Sequence, residues 1–283
     1  MVSMTRRELF THLVQMLRNA GISEEKQEAA FLLEHLSGMQ LPQFLLGGDM
    51  PVPPELQKQA VSLCEKRATG YPLQYLLGEW DFFGLTFAVG EGVLIPRADT
   101  ETLVEEVLRL RKGAESTKIA DLCSGSGCIP AAIANYLPGV SGYALEKSPE
   151  AMHYLKQNLQ RHAPQICPYS ADVLLPETAA EYSGLDIITS NPPYLTAEDM
   201  TMLQREVTFE PALALLGGED GLQFYRTITA VWKDTLKKGG WLLFEVGIHQ
   251  YADVENILCS HGFSEVSSVR DLAGIYRVVM GKR

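Results

Sequence analysis

The chain has 283 residues, of which 24 are Lys or Arg and 35 are Asp or Glu, so its formal net charge is −11. Hydrophobic residues make up 46% of the chain, which is enough for a packed core and excludes a largely disordered protein. Because gripping a nucleic-acid backbone requires concentrated Lys and Arg, this balance argues against a protein dedicated to that task. The length fits one large domain or two unequal ones.

The five cysteines are scattered, with no Cys-x-x-Cys pair and no His at metal-ligand spacing. We therefore expect neither a disulfide framework nor a metal site. No apolar stretch approaches the roughly 20 residues that span a bilayer, and the first residues lack the apolar core of a signal peptide. These features predict a soluble, cytoplasmic protein that does not associate with membranes.

Residues 3 to about 70 are predicted to be helical. Thr5 and Glu8 have the spacing of a capping box, and apolar residues then recur at helical intervals. Residues 41–48 are interpreted as a turn-rich connector, and Pro54 is placed at the first position of a further helix, where proline is favoured. The pattern indicates a small helical bundle, and no motif in it carries chemistry.

Residues 79–95 are aromatic, β-branched and punctuated by glycine, which predicts a β-hairpin. From residue 98 onward, short apolar runs alternate with stretches of helical length, which favours an α/β fold with a mostly parallel sheet. Residues 237–240 are interpreted as a helix end, and the last two strands are expected to pair antiparallel at an edge. The predicted strands are Lys118–Leu122, Ser141–Leu145, Ile166–Ser170, Leu185–Thr189, Trp241–Val246, Ser264–Arg270 and Tyr276–Met280.

The first of these strands leads into a glycine-containing loop and then an Ala-rich helix, an arrangement that lets backbone approach a ligand. The second strand ends in Glu146, where an acidic residue usually accepts hydrogen bonds from ribose hydroxyls, and Asp172 follows the third. The loop has neither the Gly-Lys-Ser/Thr of a P-loop nor the third glycine of the dinucleotide fingerprint. A cofactor without phosphates, such as S-adenosylmethionine, fits better than a nicotinamide dinucleotide.

The fourth strand runs directly into Asn191-Pro192-Pro193-Tyr194. Pro192 disfavours a helical backbone at Asn191, so the tetrad predicts a rigid turn at the carboxyl edge of the sheet, where open α/β folds bind ligands. Such a turn can present the Asn191 oxygen, the Pro192 carbonyl and the Tyr194 ring. Two acceptors and an aromatic face suit a planar amide or amino nitrogen, which they orient for attack while stabilising its developing positive charge.

This tetrad resembles that of methyltransferases acting on planar nitrogens, including adenine, guanine and glutamine-amide enzymes. Further segments, from about residue 70 to the end of the chain, resemble the release-factor glutamine methyltransferases, the HemK/PrmC family. These segments are Pro72-Leu-Gln-Tyr-Leu-Leu-Gly, Leu94-Ile-Pro-Arg-Ala-Asp-Thr-Glu, Asp121-Leu-Cys-Ser-Gly-Ser-Gly-Cys-Ile and Glu210-Pro-Ala-Leu-Ala-Leu-Leu-Gly-Gly-Glu-Asp-Gly.

The resemblance implies a helical substrate-recognition domain at 1–72, a hairpin linker at 73–96 and a Rossmann-like, seven-stranded methyltransferase domain at 97–283. It implies methyl transfer from S-adenosylmethionine, leaving S-adenosylhomocysteine, to the glutamine amide of the Gly-Gly-Gln loop of peptide-chain release factors in translation termination.

The family pattern also implies roles for individual residues, with the Asn191 side chain lying beside both the substrate amide and the methionyl end of the cofactor. The glycine loop and Glu146 would hold the cofactor, Asp172 and Val173 would lie by its adenine, and the tetrad would hold the glutamine. The implied cofactor-binding residues are Cys123, Ser124, Gly125, Ser126, Gly127, Glu146, Asp172, Val173 and Asn191. The implied substrate-binding residues are Asn191, Pro192, Pro193 and Tyr194, of which Asn191, Pro192 and Tyr194 are the catalytic candidates.

Some readings stay open at this level. Cys123 stands where the family usually has Gly, and Glu146 where Asp is commoner. Arg97, Asp99 and Thr100 either close over the cofactor or mark a helix start capped by Asp99 or Thr100. An exocyclic amine of adenine or guanine in nucleic acid is an alternative substrate, although no basic path for a strand is evident. A non-catalytic cofactor-binding scaffold is a further alternative.

Overall fold

The structure is a computed structural model that describes residues 3–283. Its residues form two compact units. The helical unit comprises the chain up to Gly78 together with residues 204–209, and the sheet unit comprises residues 79–203 and 210–283. The six residues 204–209, which fall inside the predicted range 97–283, thus belong with the helices, and the division falls after Gly78.

The helical unit buries one face of each of its longer helices in a shared apolar core that includes Leu13 and Leu32. The predicted capping box opens the first helix, with the Glu8 backbone N–H donating to Thr5 Oγ1 and the Thr5 N–H donating to Glu8 Oε2. Pro54 is the first residue of the fourth helix, as predicted. The helices are α1 (Arg6–Asn19), α2 (Glu25–Ser37), α3 (Leu41–Leu46), α4 (Pro54–Ala68) and α5 (Leu73–Leu77).

Residues 204–209 are held in the helical unit by a buried guanidinium. Arg67 on α4 is 4% exposed, and its Nη2 donates to Glu28 Oε1 at 2.9 Å and to Glu206 Oε1 at 3.1 Å. The ring of Phe209 also packs edge-on against Tyr71, with 5.4 Å between centroids. Arg67 therefore joins one acidic side chain on α2 to another that lies 139 positions beyond Arg67 itself.

The sheet unit begins with a hairpin and continues as alternating strands and helices, as the sequence pattern predicts. The hairpin strands are antiparallel, and a short 3₁₀ turn (Ala98–Thr100) precedes the first helix. The strands are β1 (Glu79–Phe82), β2 (Leu85–Ala88), β3 (Thr117–Leu122), β4 (Val140–Glu146), β5 (Ile166–Ser170), β6 (Leu185–Ser190), β7 (Leu236–Glu245), β8 (Ser264–Arg270) and β9 (Tyr276–Lys282). The helices are α6 (Glu101–Leu110), α7 (Cys128–Tyr136), α8 (Pro149–His162), α9 (Pro176–Ala179), α10 (Gln223–Trp232) and α11 (Tyr251–Ser260).

The seven strands β3–β9 form one mixed sheet in the order β5-β4-β3-β6-β7-β9-β8. Strands β3 to β7 are parallel, and β9 runs antiparallel to both β7 and β8, so the predicted antiparallel pairing at this side of the sheet is confirmed. At the other edge, β5 carries Pro168, which has no N–H to offer a further strand. Apolar clusters cover both faces of the sheet, so the functional edge is built on a rigid support.

Two predictions of local structure are wrong. Residues 41–46 form helix α3 rather than a connector. Buried Phe44 packs into the helical core and stabilises this short helix, which helix propensity alone does not predict. Residues 237–240 are the start of β7 rather than a helix end. Leu236 pairs with Leu185 there, and a register shift before Ile187 accommodates the two glycines.

The described part of the chain has no helix both long and apolar enough to cross a bilayer. All five cysteines are free thiols. Residues 3–283 also contain no group of three His, Cys, Asp or Glu side chains placed to hold a metal ion.

Candidate functional site

A cleft in the sheet unit lies at the carboxyl edge of the parallel strands and encloses about 1000 Å³, open solvent at its mouth included. The strand ends of β3, β4 and β6 converge on it, because the central order β4-β3-β6 makes these three strands neighbours. Its lining includes nine of the residues singled out as cofactor or substrate ligands, namely Cys123, Ser124, Gly125, Ser126, Glu146, Asp172, Val173, Asn191 and Pro193. Gly127, Pro192 and Tyr194 lie outside that lining.

The loop after β3 is tied down by its own hydrogen bonds. The Ser124 hydroxyl donates to the Asp121 carbonyl, and the Ser124 N–H donates to the Leu145 carbonyl on β4. Gly127 has a φ of 78°, and a Cβ there would lie 2.6 Å from the Leu155 side chain, so this position requires glycine. The loop therefore presents backbone to the cleft in a fixed conformation at the start of α7.

Cys123 occupies the left-handed region with a φ of 60°. A residue with a Cβ pays a steric cost of about 1 kcal/mol in this conformation that glycine avoids. The departure from the family's usual Gly at this position thus keeps the backbone turn and adds a half-buried thiol to the cleft lining.

Glu146 binds the backbone on both sides of the cleft. One carboxylate oxygen accepts a hydrogen bond from the Gly125 N–H at 2.8 Å, and the other accepts from the N–H groups of Lys147 and Ser148, each also at 2.8 Å. A carboxylate oxygen has two lone-pair sites, so Oε1 is saturated by the Lys147 and Ser148 N–H groups, whereas Oε2, which accepts only from Gly125, has one site left for a further donor. The carboxylate at the end of β4 therefore holds the glycine loop and can still accept from a ligand hydroxyl.

Asp172 follows β5 and forms an ion pair with Lys147, whose Nζ lies 2.8 Å from Asp172 Oδ2. Burial opposes the ionisation of Asp172, but the Lys147 ammonium and the Leu174 N–H outweigh it and hold the pKa of that carboxyl below its usual value. Asp172 is thus ionised and oriented at the cleft wall beside buried Val173.

The Asn191-Pro-Pro-Tyr turn follows β6 directly. The strand is anchored to β3 at its end, since Thr189 Oγ1 donates to Asp121 Oδ1 at 2.6 Å and Ser190 Oγ donates to the Leu122 carbonyl at 2.8 Å. Asn191 is half-buried and lines the cleft, whereas Tyr194 is half-buried outside it. The turn is therefore positioned by β6, which is anchored to β3, the strand that carries the glycine loop.

The far side of the turn is packed against backbone. Gln250 Nε2 donates to the Tyr194 carbonyl at 3.0 Å, and Gln250 Oε1 accepts from the Gly247 N–H at 3.0 Å. A Cβ on Gly217 would lie 2.6 Å from the Pro193 carbonyl oxygen, and one on Gly247 would lie 2.9 Å from the Tyr194 ring. Glycine at these two positions is what allows neighbouring loops to enclose the turn.

Arg97, Asp99 and Thr100 lie where the sheet unit enters its first helix. Arg97 is ion-paired with Glu210, whose other carboxylate oxygen accepts from the Ile95 N–H at 3.0 Å. Asp99 pairs with Arg277 at 3.1 Å. No side chain caps this helix start in the described structure, so the capping alternative is wrong. Arg97 and Thr100 line the cleft instead.

Two buried carboxyl groups lie behind the cleft. Asp121 on β3 is fully buried, and its Oδ2 has no hydrogen-bond partner among residues 3–283. Burial raises the pKa of Asp121 to about 7, against the lowering effect of the Thr189 and Ser124 hydroxyls. Glu245 at the end of β7 is 2% exposed and has an unpaired Oε2 within the same described residues.

The raised pKa of Asp121 predicts a pH-dependent stability difference for Asp121→Asn. Between the ordinary aspartate pKa of 3.8 and about 7, the folded chain keeps a proton that the unfolded chain has released, so wild-type stability falls as pH rises through this window. An asparagine cannot ionise, so the stability of Asp121→Asn relative to wild type should rise by about 2–4 kcal/mol from pH 4 to 8. Urea unfolding followed by tryptophan fluorescence measures this difference.

Asp172→Asn is the matched control for that experiment, with the opposite sign. Because the Asp172 pKa is lowered, its contribution is present above the ordinary carboxyl pKa and is lost on acidification. Asp172→Asn should therefore be less stable than wild type at neutral pH, with the gap closing in acid. A stability difference for Asp121→Asn that does not change with pH would contradict the burial argument.

Asn158 is a supporting residue that the sequence analysis did not identify. It is fully buried on α8, and its Nδ2 donates to the carbonyls of Ser126 at 2.9 Å and Ala88 at 3.0 Å. Its Oδ1 accepts from the Ala88 N–H at 2.7 Å. Asn158 thus links the glycine loop to the hairpin. In the sequence, the sign of its burial is that a polar residue shares the apolar face of a helix with Leu155 and Leu159.

Comparison with known proteins shows which family the chain belongs to. The chain matches the PrmC N-terminal domain over residues 8–78 and the methyltransferase small domain over residues 98–246. It is 37% identical over 267 residues to a release factor glutamine methyltransferase of Geobacter sulfurreducens, covering 94% of this chain and 92% of that one. It is 34% identical over 283 residues to the enzyme of the same name from Moorella thermoacetica, covering 99% of each.

Among solved structures, the catalytic domain of hMettl16 in complex with MAT2A 3′UTR hairpin 6 is similar in fold, with a TM-score of 0.57 at 17% sequence identity. The similarity covers 71% of this chain and 76% of that one. A mostly parallel seven-stranded sheet with a glycine loop and an Asn-Pro-Pro-Tyr turn at its carboxyl edge defines a methyltransferase. The chain belongs to the release factor glutamine methyltransferase family. The predicted family and fold class are confirmed.

Proposed function

We propose that this enzyme transfers a methyl group from S-adenosylmethionine to the side-chain amide nitrogen of the glutamine in the Gly-Gly-Gln motif of peptide-chain release factors. The observation that carries the proposal is Asn191, which lines the same cleft as the glycine loop and Glu146. An amide-orienting group and a cofactor cradle thus share one cavity. The family relatives named for this activity support the choice of substrate.

The residues of the cleft fit this cofactor. Glu146 Oε2 offers a free lone pair for a ribose hydroxyl, the backbone of residues 123–127 would approach the methionyl end, and Asp172 with Val173 would form the wall for the adenine. None of these groups provides the cationic cradle that a phosphate requires. When bound, S-adenosylmethionine supplies an electrophilic methyl group on sulfur.

The Asn-Pro-Pro-Tyr turn would act on the substrate amide. The Asn191 oxygen and the Pro192 carbonyl accept hydrogen bonds from the two N–H groups of the glutamine, which fixes the nitrogen and favours loss of its planarity. These fixed dipoles also stabilise the positive charge that develops on nitrogen. The proton leaves to solvent after methylation, so no strong base is required. Pro193 lines the cleft and would hold the amide plane from one side, while Tyr194, which lies outside that lining, would contact the amide at its edge.

The two units suggest separate roles for different parts of the chain. We infer that residues 1–72 recognise the release factor, that 73–96 act as a linker and that 97–283 carry the reaction. Excess acidic charge, most of which lies in residues 71–283, favours a protein substrate and disfavours stable binding of nucleic acid. A cytoplasmic location follows from a substrate that acts in translation.

Mass spectrometry tests the proposed function directly. Purified enzyme is incubated with S-adenosylmethionine and a release factor, and the Gly-Gly-Gln peptide should gain the mass of one methyl group on glutamine. RNA and DNA are assayed in parallel with a labelled methyl donor. Methyl incorporation into nucleic acid but not into protein would overturn the proposal, and so would a folded, cofactor-binding enzyme that methylates neither.

Glu146→Ala should weaken binding of S-adenosylhomocysteine by about 10–100-fold, since charge-assisted hydrogen bonds contribute roughly 1.5–3 kcal/mol. The substitution removes the ribose acceptor and also frees the Gly125, Lys147 and Ser148 N–H groups that the carboxylate orders. Isothermal titration calorimetry measures the change. Glu177→Ala, at an exposed position of α9, is the control and should leave the affinity unaltered. An unchanged affinity for Glu146→Ala would remove Glu146 from the cofactor site.

A further inference from the structure

Glu245 is the last residue of β7, beside the strand that leads into the catalytic turn. The parallel register pairs Ser190 with Phe244, so the next positions along these strands are Asn191 and Glu245. The Glu245 backbone carbonyl is held by the Tyr225 hydroxyl at 3.0 Å. A buried carboxyl group is therefore the neighbour of Asn191 on the adjacent strand, and it is not part of the cleft lining.

The surroundings of Glu245 show what its carboxyl group faces. Burial raises the pKa of Glu245 to about 7, while the nearby Thr100 hydroxyl, Arg277 and the Asn191 side chain favour the charged form. Asp99 opposes ionisation. The other titratable groups close enough to interact are Tyr194, Tyr225 and Cys128. Glu245 Oε2 has no hydrogen-bond partner within residues 3–283, so the carboxyl group has acceptor capacity to spare.

An asparagine amide can face the cleft in two orientations. The proposed reaction requires the Asn191 oxygen to face the substrate amide, which leaves the Asn191 NH₂ group pointing away and in need of an acceptor. A buried NH₂ group without an acceptor costs free energy, so whichever group stands behind Asn191 selects the orientation. Among the neighbours of Asn191, the carboxyl group of Glu245 is an acceptor that is already buried and incompletely bonded.

We propose that Glu245 is a positioning residue that accepts a hydrogen bond from the Asn191 NH₂ group and thereby holds the Asn191 oxygen towards the substrate amide. This inference rests on the proposed function. Glu245 is not part of the cleft lining, whereas its neighbours Asn191 and Thr100 are, so Glu245 acts through Asn191 rather than by touching substrate or cofactor. The ionised carboxylate accepts only, whereas the neutral acid can donate to the Asn191 oxygen and compete with the substrate.

The sign of the pH effect follows from this competition. Above the pKa of Glu245 the carboxylate is ionised and Asn191 is held in the productive orientation, so kcat should rise as the pH passes upward through about 7. The same step places a negative charge behind the amide dipole that faces the developing positive charge on nitrogen. A glutamine at position 245 keeps one acceptor oxygen but cannot ionise, so it separates the two contributions.

Two substitutions test the inference in the full-length enzyme. Glu245→Met removes the acceptor and should lower kcat about 30–100-fold, with the KM for the release factor and the affinity for S-adenosylhomocysteine changed less than threefold. Glu245→Gln keeps an acceptor oxygen but, like the neutral acid, also carries donors, so its kcat should lie within about fivefold of the wild-type value on the acidic side of pH 7 and should show no Glu245-dependent step near 7. Thr229→Val is the matched control, because Thr229 is also fully buried with an unpaired hydroxyl in the described structure, and its kcat should be unaltered.

Either of two kinetic results would overturn the inference: a kcat for Glu245→Met within threefold of wild type, or a kcat for Glu245→Gln as low as that of Glu245→Met. A readout that needs no substrate keeps the test independent of the proposed function. The side-chain NH₂ resonances of Asn191, assigned by their loss in Asn191→Ala, should shift more with pH around 7 in wild type than in Glu245→Gln, in which Asp121 still titrates in this range but residue 245 does not. Identical pH responses in the two proteins would refute the contact even if the release factor proves not to be the substrate.

Discussion

Asn191→Ala is expected to lower kcat for release-factor methylation by about 100–1000-fold, the loss typical of removing one fixed dipole that stabilises transition-state charge. The variant keeps the prolines that shape the turn and the hydrogen bonds of Thr189 and Ser190 that anchor β6. The affinity for S-adenosylhomocysteine should therefore fall by less than about threefold. Single-turnover methyl transfer and calorimetric titration measure the two quantities separately.

Asn256→Ala is the control for that experiment, because it makes the same chemical change at an exposed position of α11. Its kcat should equal that of wild type. If Asn191→Ala retains wild-type turnover, the catalytic assignment of the turn is wrong. If it loses turnover and cofactor affinity together, Asn191 serves the cofactor rather than the substrate amide.

Arg67→Met is expected to destabilise the helical unit by about 2–4 kcal/mol, because breaking a buried ion pair leaves uncompensated charge in the interior. The substitution leaves Glu28 and Glu206 without the guanidinium that both now bind. Glu28 is the more buried of the two, with a side chain only 13% exposed, so most of the cost should arise there. The carbonyl of Tyr71 also loses a donor at 3.5 Å.

The loss of stability in the helical unit can be measured separately from the stability of the sheet unit. Its three tryptophans, Trp80, Trp232 and Trp241, all lie in the sheet unit, so fluorescence follows that unit during unfolding. Hydrogen exchange of the α2 and α4 amides follows the helical unit. Protection of these amides should fall in Arg67→Met while the tryptophan transition changes much less.

Arg18→Met is the matched control, because Arg18 also pairs with a glutamate of α2, Glu25, but is about half exposed. Surface pairs contribute about 0–1 kcal/mol, so this variant should barely alter protection. Equal effects of the two substitutions would show that the burial of Arg67 does not govern the stability of the helices.

The sequence predicted most of the sheet because strand–helix alternation and short connections leave few possible topologies. The strand-end residues Glu146, Asp172 and Asn191 could be named in advance for the same reason, since parallel strands bring their carboxyl ends to one edge. The family resemblance then supplied roles for them. Two local elements were not predicted from the pattern. Helix α3 depends on the packing of Phe44 in the helical core, and the start of β7 depends on the pairing of Leu236 with Leu185.

The supporting contacts of the site could not be predicted, because each joins segments far apart in sequence. Asn158 reaches a carbonyl 70 positions away, and Arg97 meets a carboxylate 113 positions away. Hydrophobic periodicity gives no information on such pairs. The burial of Glu245 could not be predicted either, since a glutamate at the end of a strand can equally face solvent.

The assignment of residues 204–209 to the helical unit has a consequence for protein engineering. The chain passes between the units three times, after residues 78, 203 and 209. A fragment that stops at Gly78 therefore lacks Glu206 and Phe209, and a chimera that exchanges only the first 78 residues with those of a relative separates Arg67 from the glutamate that it binds. Grafting the helical unit onto another catalytic domain requires transplanting two pieces of chain.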